Sequence, residues 1–215
     1  PEIGVASTKA FLGQLIVLYI LSLKFSIIRN DIDKRTFDTN VKNLQKLPDA
    51  IKDTLKLETE IQLIAKEFLD AKGSMFLGRG NSFPIALEGA LKLKELSYLH
   101  AEGYPAGEMK HGPLALIEEG LPVIVIAPKD KYYEKTLSNM QEVIARGGKI
   151  FFITDNKKRL LSTNLRFRLR VPRVDSLLSP MLLTIPLQLL AYHVALLKNC
   201  DIDKPRNLAK SVTVE

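Results

Sequence analysis

Short apolar runs alternate with helix-like segments through the second half of the chain, and this alternation leaves few possible folds. The runs PVIVIA (residues 122–127) and KIFFIT (residues 149–154) are apolar throughout, as strands covered on both faces by helices are. A helical pattern over residues 132–146, ended by a glycine pair, separates them. Because parallel strands need long crossovers, the pattern predicts an α/β protein: a three-layer αβα sandwich with a mostly parallel, flavodoxin-like sheet.

Further elements of this fold are predicted on either side. Strands are expected over residues 74–77 and 165–171, and the second alternates apolar with basic residues, which places it near a sheet edge. Helices are expected over residues 83–99 and 180–197. In such folds the ligand crevice lies beyond the carboxyl ends of the strands. The turn at residues 78–82 is expected at such an end.

The first third of the chain is predicted to be helical. A helix capped by Ser7 or Thr8 runs to about residue 29, and two more are expected over residues 37–46 and 49–71. Residues 10–28 approach the length of a membrane span but include Lys24. We therefore predict a helix buried between domains or subunits, with no membrane partner.

Charge and cysteine content narrow the class of protein. The formal net charge of +7 suits anionic partners, but the basic residues are scattered and lack interleaved aromatics, so nucleic-acid binding is not expected. Cys200 is the single cysteine. A disulfide within the chain is thus impossible, and a reducing, cytoplasmic location is expected.

Three segments hold candidate catalytic groups. Glu88, Lys92 and Glu95 have the spacing i, i+4, i+7 and share a face of the predicted helix. Such a face can transfer protons if it is desolvated, but the spacing fits a solvated salt-bridge ladder equally. His111 lies in a predicted long loop over residues 101–113 and is a candidate for acid–base chemistry, or would bond a backbone carbonyl. Lys210, in the tail, could form a Schiff base or simply be solvated.

Six motifs, in the same order along the chain, resemble the glucosamine-6-phosphate synthase family. They are GVASTKAF (residues 4–11), LGRG (77–80), ALEGALKLKE (86–95), GEMKHGPLAL (107–116), PLQLLAYH (186–193) and PRNLAKSVTVE (205–215). The resemblance implies the last helix of a preceding sugar-isomerase (SIS) domain plus a linker at residues 1–47. It further implies a second SIS domain at residues 48–199 and a C-terminal tail at residues 200–215.

The resemblance also implies a reaction and its residues. The family makes glucosamine 6-phosphate from fructose 6-phosphate and glutamine-derived ammonia, without a cofactor or metal. Lys210 would form a Schiff base with the open-chain sugar, Glu95 would move a proton between its first two carbons, and Lys92 would assist Glu95. His111 would assist ring opening in the neighbouring subunit of a homodimer. The residues expected near the bound sugar are Val5, Ser7, Glu88 and Ala209.

Two parts of the family's enzyme are expected to be missing from this sequence. These are the glutaminase domain, which would be a partner of this region, and the phosphate-binding Ser/Thr loop of the first SIS domain. The 215 residues alone are therefore predicted to be a poor catalyst. Two alternatives remain open: a related SIS deglycase, and a non-catalytic module that binds sugar phosphates.

Overall fold

The computed structural model describes residues 2–158 and 165–209. Its centre is a five-stranded sheet in which every neighbouring pair is parallel, with the order β2-β1-β3-β4-β5. The strands are β1 Gly73–Gly78, β2 His100–Pro105, β3 Pro122–Ile126, β4 Lys149–Thr154 and β5 Leu165–Arg170. This is the flavodoxin-like strand order, so the predicted fold class is confirmed, and β5 lies at an edge as expected.

Seven α-helices surround the sheet within the described residues. They are α1 Lys9–Ile28, α2 Lys34–Gln45, α3 Leu47–Leu55, α4 Glu58–Lys66, α5 Ser82–Ser97, α6 Tyr133–Ile144 and α7 Ser179–Leu197. Two short 3-10 helices, Ala106–His111 and Pro113–Leu116, connect β2 to β3.

The core has two layers because successive residues of the central strands point to opposite faces. Phe76, Ile124 and Phe151 face the layer formed by α4, α5 and α7. Their neighbours Leu77 and Val125 point to the opposite face and belong to the second layer of the core, which packs under α6. Continuous apolar runs were thus a correct signal for strands buried on both faces.

Strand β2 differs from the prediction, which placed a loop over residues 101–113. The sequence HAEGYP has polar residues, a glycine and a proline, and β2 pairs with β1 alone at the edge of the sheet. Proline is tolerated at a sheet edge. A Cβ on Gly103 would lie 2.9 Å from the Leu87 backbone, so glycine allows α5 to pack against this strand.

The helix predicted over residues 49–71 is also different, since it divides into α3 and α4 at Lys56–Leu57. The buried Thr54 donates its hydroxyl hydrogen to the carbonyl oxygen of Ala50 at 2.8 Å. Such bonds bend helices. Both short helices pack against α7 after this bend.

By length and composition, helices α1 and α7 could each cross a membrane. In α7, 67% of the apolar window is buried, which is typical of a core helix. In α1 only Tyr19 and Leu23 are buried, and Val17, Leu18 and Phe25 are exposed. The burial of α1 against another domain or subunit stays a prediction.

Candidate active site

A buried lysine between two glutamates lies on one face of α5. The Nζ atom of Lys92 lies 2.5 Å from Oε2 of Glu95 and 3.7 Å from Oε1 of Glu88. The Lys92 side chain is only 3% exposed, and both glutamates are partly buried. The shared face predicted from the spacing is confirmed. A solvated salt-bridge ladder does not fit, because the ammonium group is shielded from water.

The surroundings of Glu88 favour its neutral form. Burial raises the pKa of this carboxyl group, and the nearby Lys92 ammonium counteracts the rise only in part. The negative charge of Glu95 raises the pKa further. Oε1 of Glu88 has no hydrogen-bond partner among the described residues. The group thus combines a lysine, a paired carboxylate and a carboxyl that readily holds a proton, which suits proton transfer.

The depth at which α5 sits on the sheet is set by a glycine beside Glu88. A Cβ on Gly89 would lie 2.7 Å from Cδ1 of Leu187 and 3.0 Å from the ring of Phe76. Helix and sheet therefore approach more closely here than a larger residue would permit. This packing turns the Gly89 side of α5 towards β1 and α7.

The C-terminal tail is attached to the end of the same helix. Tyr98 follows α5 in a left-handed conformation (φ +60°), and its hydroxyl oxygen accepts a hydrogen bond from the backbone N–H of Arg206 at 2.8 Å. The guanidinium carbon of Arg206 lies 4.1 Å from the centre of the Tyr98 ring. These contacts hold the tail against the C-terminal end of α5, the helix that carries Glu95. Ala209 is exposed, and Lys210 lies outside the described residues.

The N-terminal segment runs beside this tail. The N–H of Val5 donates to the carbonyl oxygen of Asp203 at 2.9 Å. Nε2 of Gln188, in α7, donates to the carbonyl oxygen of Thr8 at 3.2 Å. Ser7, partly buried like Val5, accepts a hydrogen bond from the N–H of Phe11 at 3.1 Å. Two segments predicted to contact the sugar are thus adjacent.

The structure does not bring His111 to this group. Its side chain is 75% exposed, and Nε2 lies 3.9 Å from Oε2 of Glu108. Its 3-10 helix packs against Arg79, since a Cβ on Gly107 would lie 2.8 Å from the Arg79 guanidinium. The same guanidinium donates a hydrogen bond to Oδ1 of Asn139 at 3.0 Å.

The other two histidines are placed differently. His193 is buried, with Nε2 3.1 Å from Oε1 of Glu58. His100 is exposed, 3.4 Å from Glu102.

Two residues of the site were missed by sequence reasoning. Gln188 lies inside the PLQLLAYH motif, so a signal for it was present. Tyr98 lies in no motif that we singled out, and its partner Arg206 is 108 residues away in sequence. No local pattern could have joined them.

Comparison with known proteins places this architecture in a family. Residues 67–198, more than half of the chain, match the SIS domain. The chain belongs to the SIS-domain family. The match lies within the predicted second SIS domain at residues 48–199, although the boundaries themselves stay predictions.

Relatives of known name extend the similarity beyond this domain. The isomerising glutamine–fructose-6-phosphate aminotransferase of Mesorhizobium japonicum is 53% identical over 216 residues, which are all of this chain but 36% of that protein. The relative from Xylella fastidiosa with the same name is 52% identical over 215 residues and is covered to 35%. This chain therefore spans about a third of the length of these relatives.

A solved structure shows a similar arrangement. The C-terminal domain of glucosamine-fructose-6-phosphate aminotransferase from Francisella tularensis superposes with a TM-score of 0.92 and 46% identity. The alignment covers 95% of this chain and 57% of that one. The family resemblance predicted from the six motifs, as a C-terminal part of a longer enzyme, is confirmed.

Proposed function

We propose that this chain is the second half of the sugar-isomerising region of a glutamine–fructose-6-phosphate aminotransferase, which makes glucosamine 6-phosphate for amino-sugar synthesis. The observation that carries the proposal is the buried Lys92 between Glu88 and Glu95. Relatives that match the whole chain bear the name of this enzyme. The active enzyme would be a cytoplasmic homodimer whose glutaminase domain supplies ammonia to this region.

Proton transfer would centre on Glu95. Its carboxylate would take a proton from one of the first two sugar carbons and return it to the other, which interconverts ketose and aldose forms. Lys92 holds Oε2 of Glu95 at 2.5 Å and would balance its charge. Glu88, whose burial favours the protonated form, would orient Lys92 and line the sugar site.

The remaining predicted residues would act around this group. The Lys210 amine would add to the sugar carbonyl with loss of water, and ammonia would then displace it from the Schiff base. The attachment of Arg206 to Tyr98 supports this role, because it holds the tail at the end of the helix that carries Glu95. Val5, Ser7 and Ala209 would contact the sugar. The exposure of His111 suits action in the neighbouring subunit.

Replacement of Glu95 tests the proposal in the full-length enzyme. Glu95→Gln should lower kcat for glucosamine 6-phosphate formation by at least about a hundredfold, as expected for loss of a general base. Fructose 6-phosphate affinity should change little. Glu118→Gln makes the same change at an exposed site and should leave both quantities unchanged. Normal turnover by Glu95→Gln would remove Glu95 from the mechanism.

A related activity is the second candidate. Glucosamine-6-phosphate deaminase from Thermotoga maritima superposes with a TM-score of 0.72 and 25% identity, covering 98% of this chain and 58% of that one. A deaminase releases ammonia, whereas an aminotransferase incorporates it. The direction of ammonia transfer, followed with an isotope-labelled nitrogen source, separates the two candidates.

A further inference from the structure

His111 is the last residue of the 3-10 helix Ala106–His111, and its own side chain does little to fix its position. The imidazole is 75% exposed and makes no hydrogen bond within the described residues. Oε2 of Glu108 lies 3.9 Å from its Nε2 atom, but the Glu108 side chain is itself 64% exposed. Under the proposed function, His111 is an acid–base group, and such a group acts only from a well-defined position. That position must be set by the contacts of the 3-10 helix.

Two apolar side chains bury one side of this 3-10 helix. Ala106 and Met109 are both 0% exposed and belong to the core layer under α6. Residues three apart in a 3-10 helix lie one above the other, so this side faces the core. Apolar burial is non-directional. It holds the 3-10 helix on the core but leaves the rotation of its exposed end, which carries His111, to be fixed by polar contacts.

An ion pair with α6 supplies a directional contact one residue before His111. Nζ of Lys110 lies 3.1 Å from Oε1 of Glu142. The Glu142 side chain is 20% exposed, and its Oε2 atom is buried without a hydrogen-bond partner in the described part of the chain. A carboxylate so removed from water depends on its cation. The pair therefore differs from fully exposed ion pairs, which contribute little.

A second polar contact from α6 reaches the start of the same 3-10 helix. Asn139, which is 8% exposed, lies three residues before Glu142 and thus on the same face of α6. Its Oδ1 atom accepts a hydrogen bond from Nη1 of Arg79 at 3.0 Å. The same Nη1 would lie 2.8 Å from a Cβ on Gly107, so the guanidinium covers this glycine. One face of α6 thus holds the 3-10 helix at both ends.

We propose that Glu142 is a positioning residue for His111, because its ion pair with Lys110 fixes the direction in which the adjacent imidazole leaves the surface. The inference rests on the proposed function, which gives His111 a reaction to serve. Loss of the ion pair would let the end of the 3-10 helix rotate on its apolar side. A displacement of about 1 Å can lower a reaction rate about a hundredfold.

Kinetics of the full-length enzyme test this role. Glu142→Gln keeps the shape of the side chain but removes its charge, and should lower kcat at least about tenfold with little change in KM for fructose 6-phosphate. In a His111→Asn background the same substitution should have no further effect, since a positioning residue acts only through its target. An equal loss in both backgrounds, or no loss in the wild-type background, would overturn the inference.

Variants of Lys110 separate the ion pair from a general effect of charge. Lys110→Met leaves a mostly buried carboxylate unpaired and should lower kcat at least as much as Glu142→Gln does. Lys110→Arg keeps the ion pair and should retain most of the activity that Lys110→Met loses. The control, Glu134→Gln, makes the same change at an exposed position of α6 and should behave as the wild type. An equal loss in this control would overturn the inference.

Hydrogen exchange measured by mass spectrometry reports on the 3-10 helix independently of the reaction. The amides of residues 107–111 should exchange about two- to fivefold faster in Glu142→Gln than in the wild type, and unchanged exchange would overturn the inference. Wild-type kcat in His111→Asn, with Glu95→Gln inactive, would overturn it and leave the proposed function standing. Normal turnover by Glu95→Gln would instead count against that function, and the exchange rates would then decide whether Glu142 holds the helix.

Discussion

Burial raises the pKa of Glu88, which lies beside Lys92 and Glu95 on α5. The pKa of the Glu88 carboxyl is raised above its ordinary value of 4.5, first by desolvation and further by the charge of Glu95. The folded protein therefore holds this proton more tightly than the unfolded chain does. By linkage, the protonated Glu88 carboxyl stabilises the folded state. This stabilisation is present in full below pH 4.5 and is lost as the pH rises through the raised pKa.

Glu88→Gln should remove this pH dependence. The amide cannot ionise, so the variant should gain stability relative to the wild type as the pH rises from 4.5 through the raised pKa of Glu88. Urea unfolding at several pH values measures the difference. Glu118→Gln, at an exposed position, should follow the wild-type curve throughout. A Glu88→Gln curve parallel to the wild type would show that Glu88 ionises normally in the fold.

At the scale of elements, the contact between α5 and β2 depends on a glycine. A Cβ on Gly103 would lie 2.9 Å from both the backbone N and the Cα of Leu87. Two backbones meet here, and neither can move aside as the end of a side chain can. The contact holds together the helix that carries Lys92 and the strand that leads to His111.

Gly103→Ala should therefore lower the free energy of unfolding by about 1–3 kcal/mol, as overpacking does. Chemical denaturation measures this value. Gly13→Ala is the matched control, because nothing lies within 4 Å of a Cβ at this position in α1. The control should be stabilised by about 0.5–1 kcal/mol, since alanine favours helix more than glycine does. Equal effects of the two substitutions would contradict the close contact.

At the scale of the whole molecule, the chain corresponds to about a third of its relatives. We expect the 215 residues alone to turn over fructose 6-phosphate and free ammonia at least a hundredfold more slowly than the full-length enzyme. The reason is that the phosphate anchor, which we predict for a first SIS domain outside this chain, would supply binding energy that supports catalysis. A coupled assay for glucosamine 6-phosphate measures this. Rates like those of the full-length enzyme would show that this chain holds a complete site.

Much of this protein was predictable from local sequence. Apolar runs between helical segments determined the parallel sheet, because a strand buried on both faces must be apolar throughout. The alternation in β5 correctly indicated an edge strand. The spacing of Glu88, Lys92 and Glu95 determined that they share a helix face, because helical geometry is fixed by the backbone.

Tertiary structure decided what local sequence could not. Whether Lys92 is buried depends on what packs over its face, and spacing alone fits a solvated ladder as well. Strand β2 forms because β1 offers it a hydrogen-bonding edge, although its own sequence is polar. The Tyr98–Arg206 contact joins residues 108 positions apart. Sequence periodicity reports the local geometry of the backbone, whereas burial and pairing depend on which distant segments meet when the chain folds.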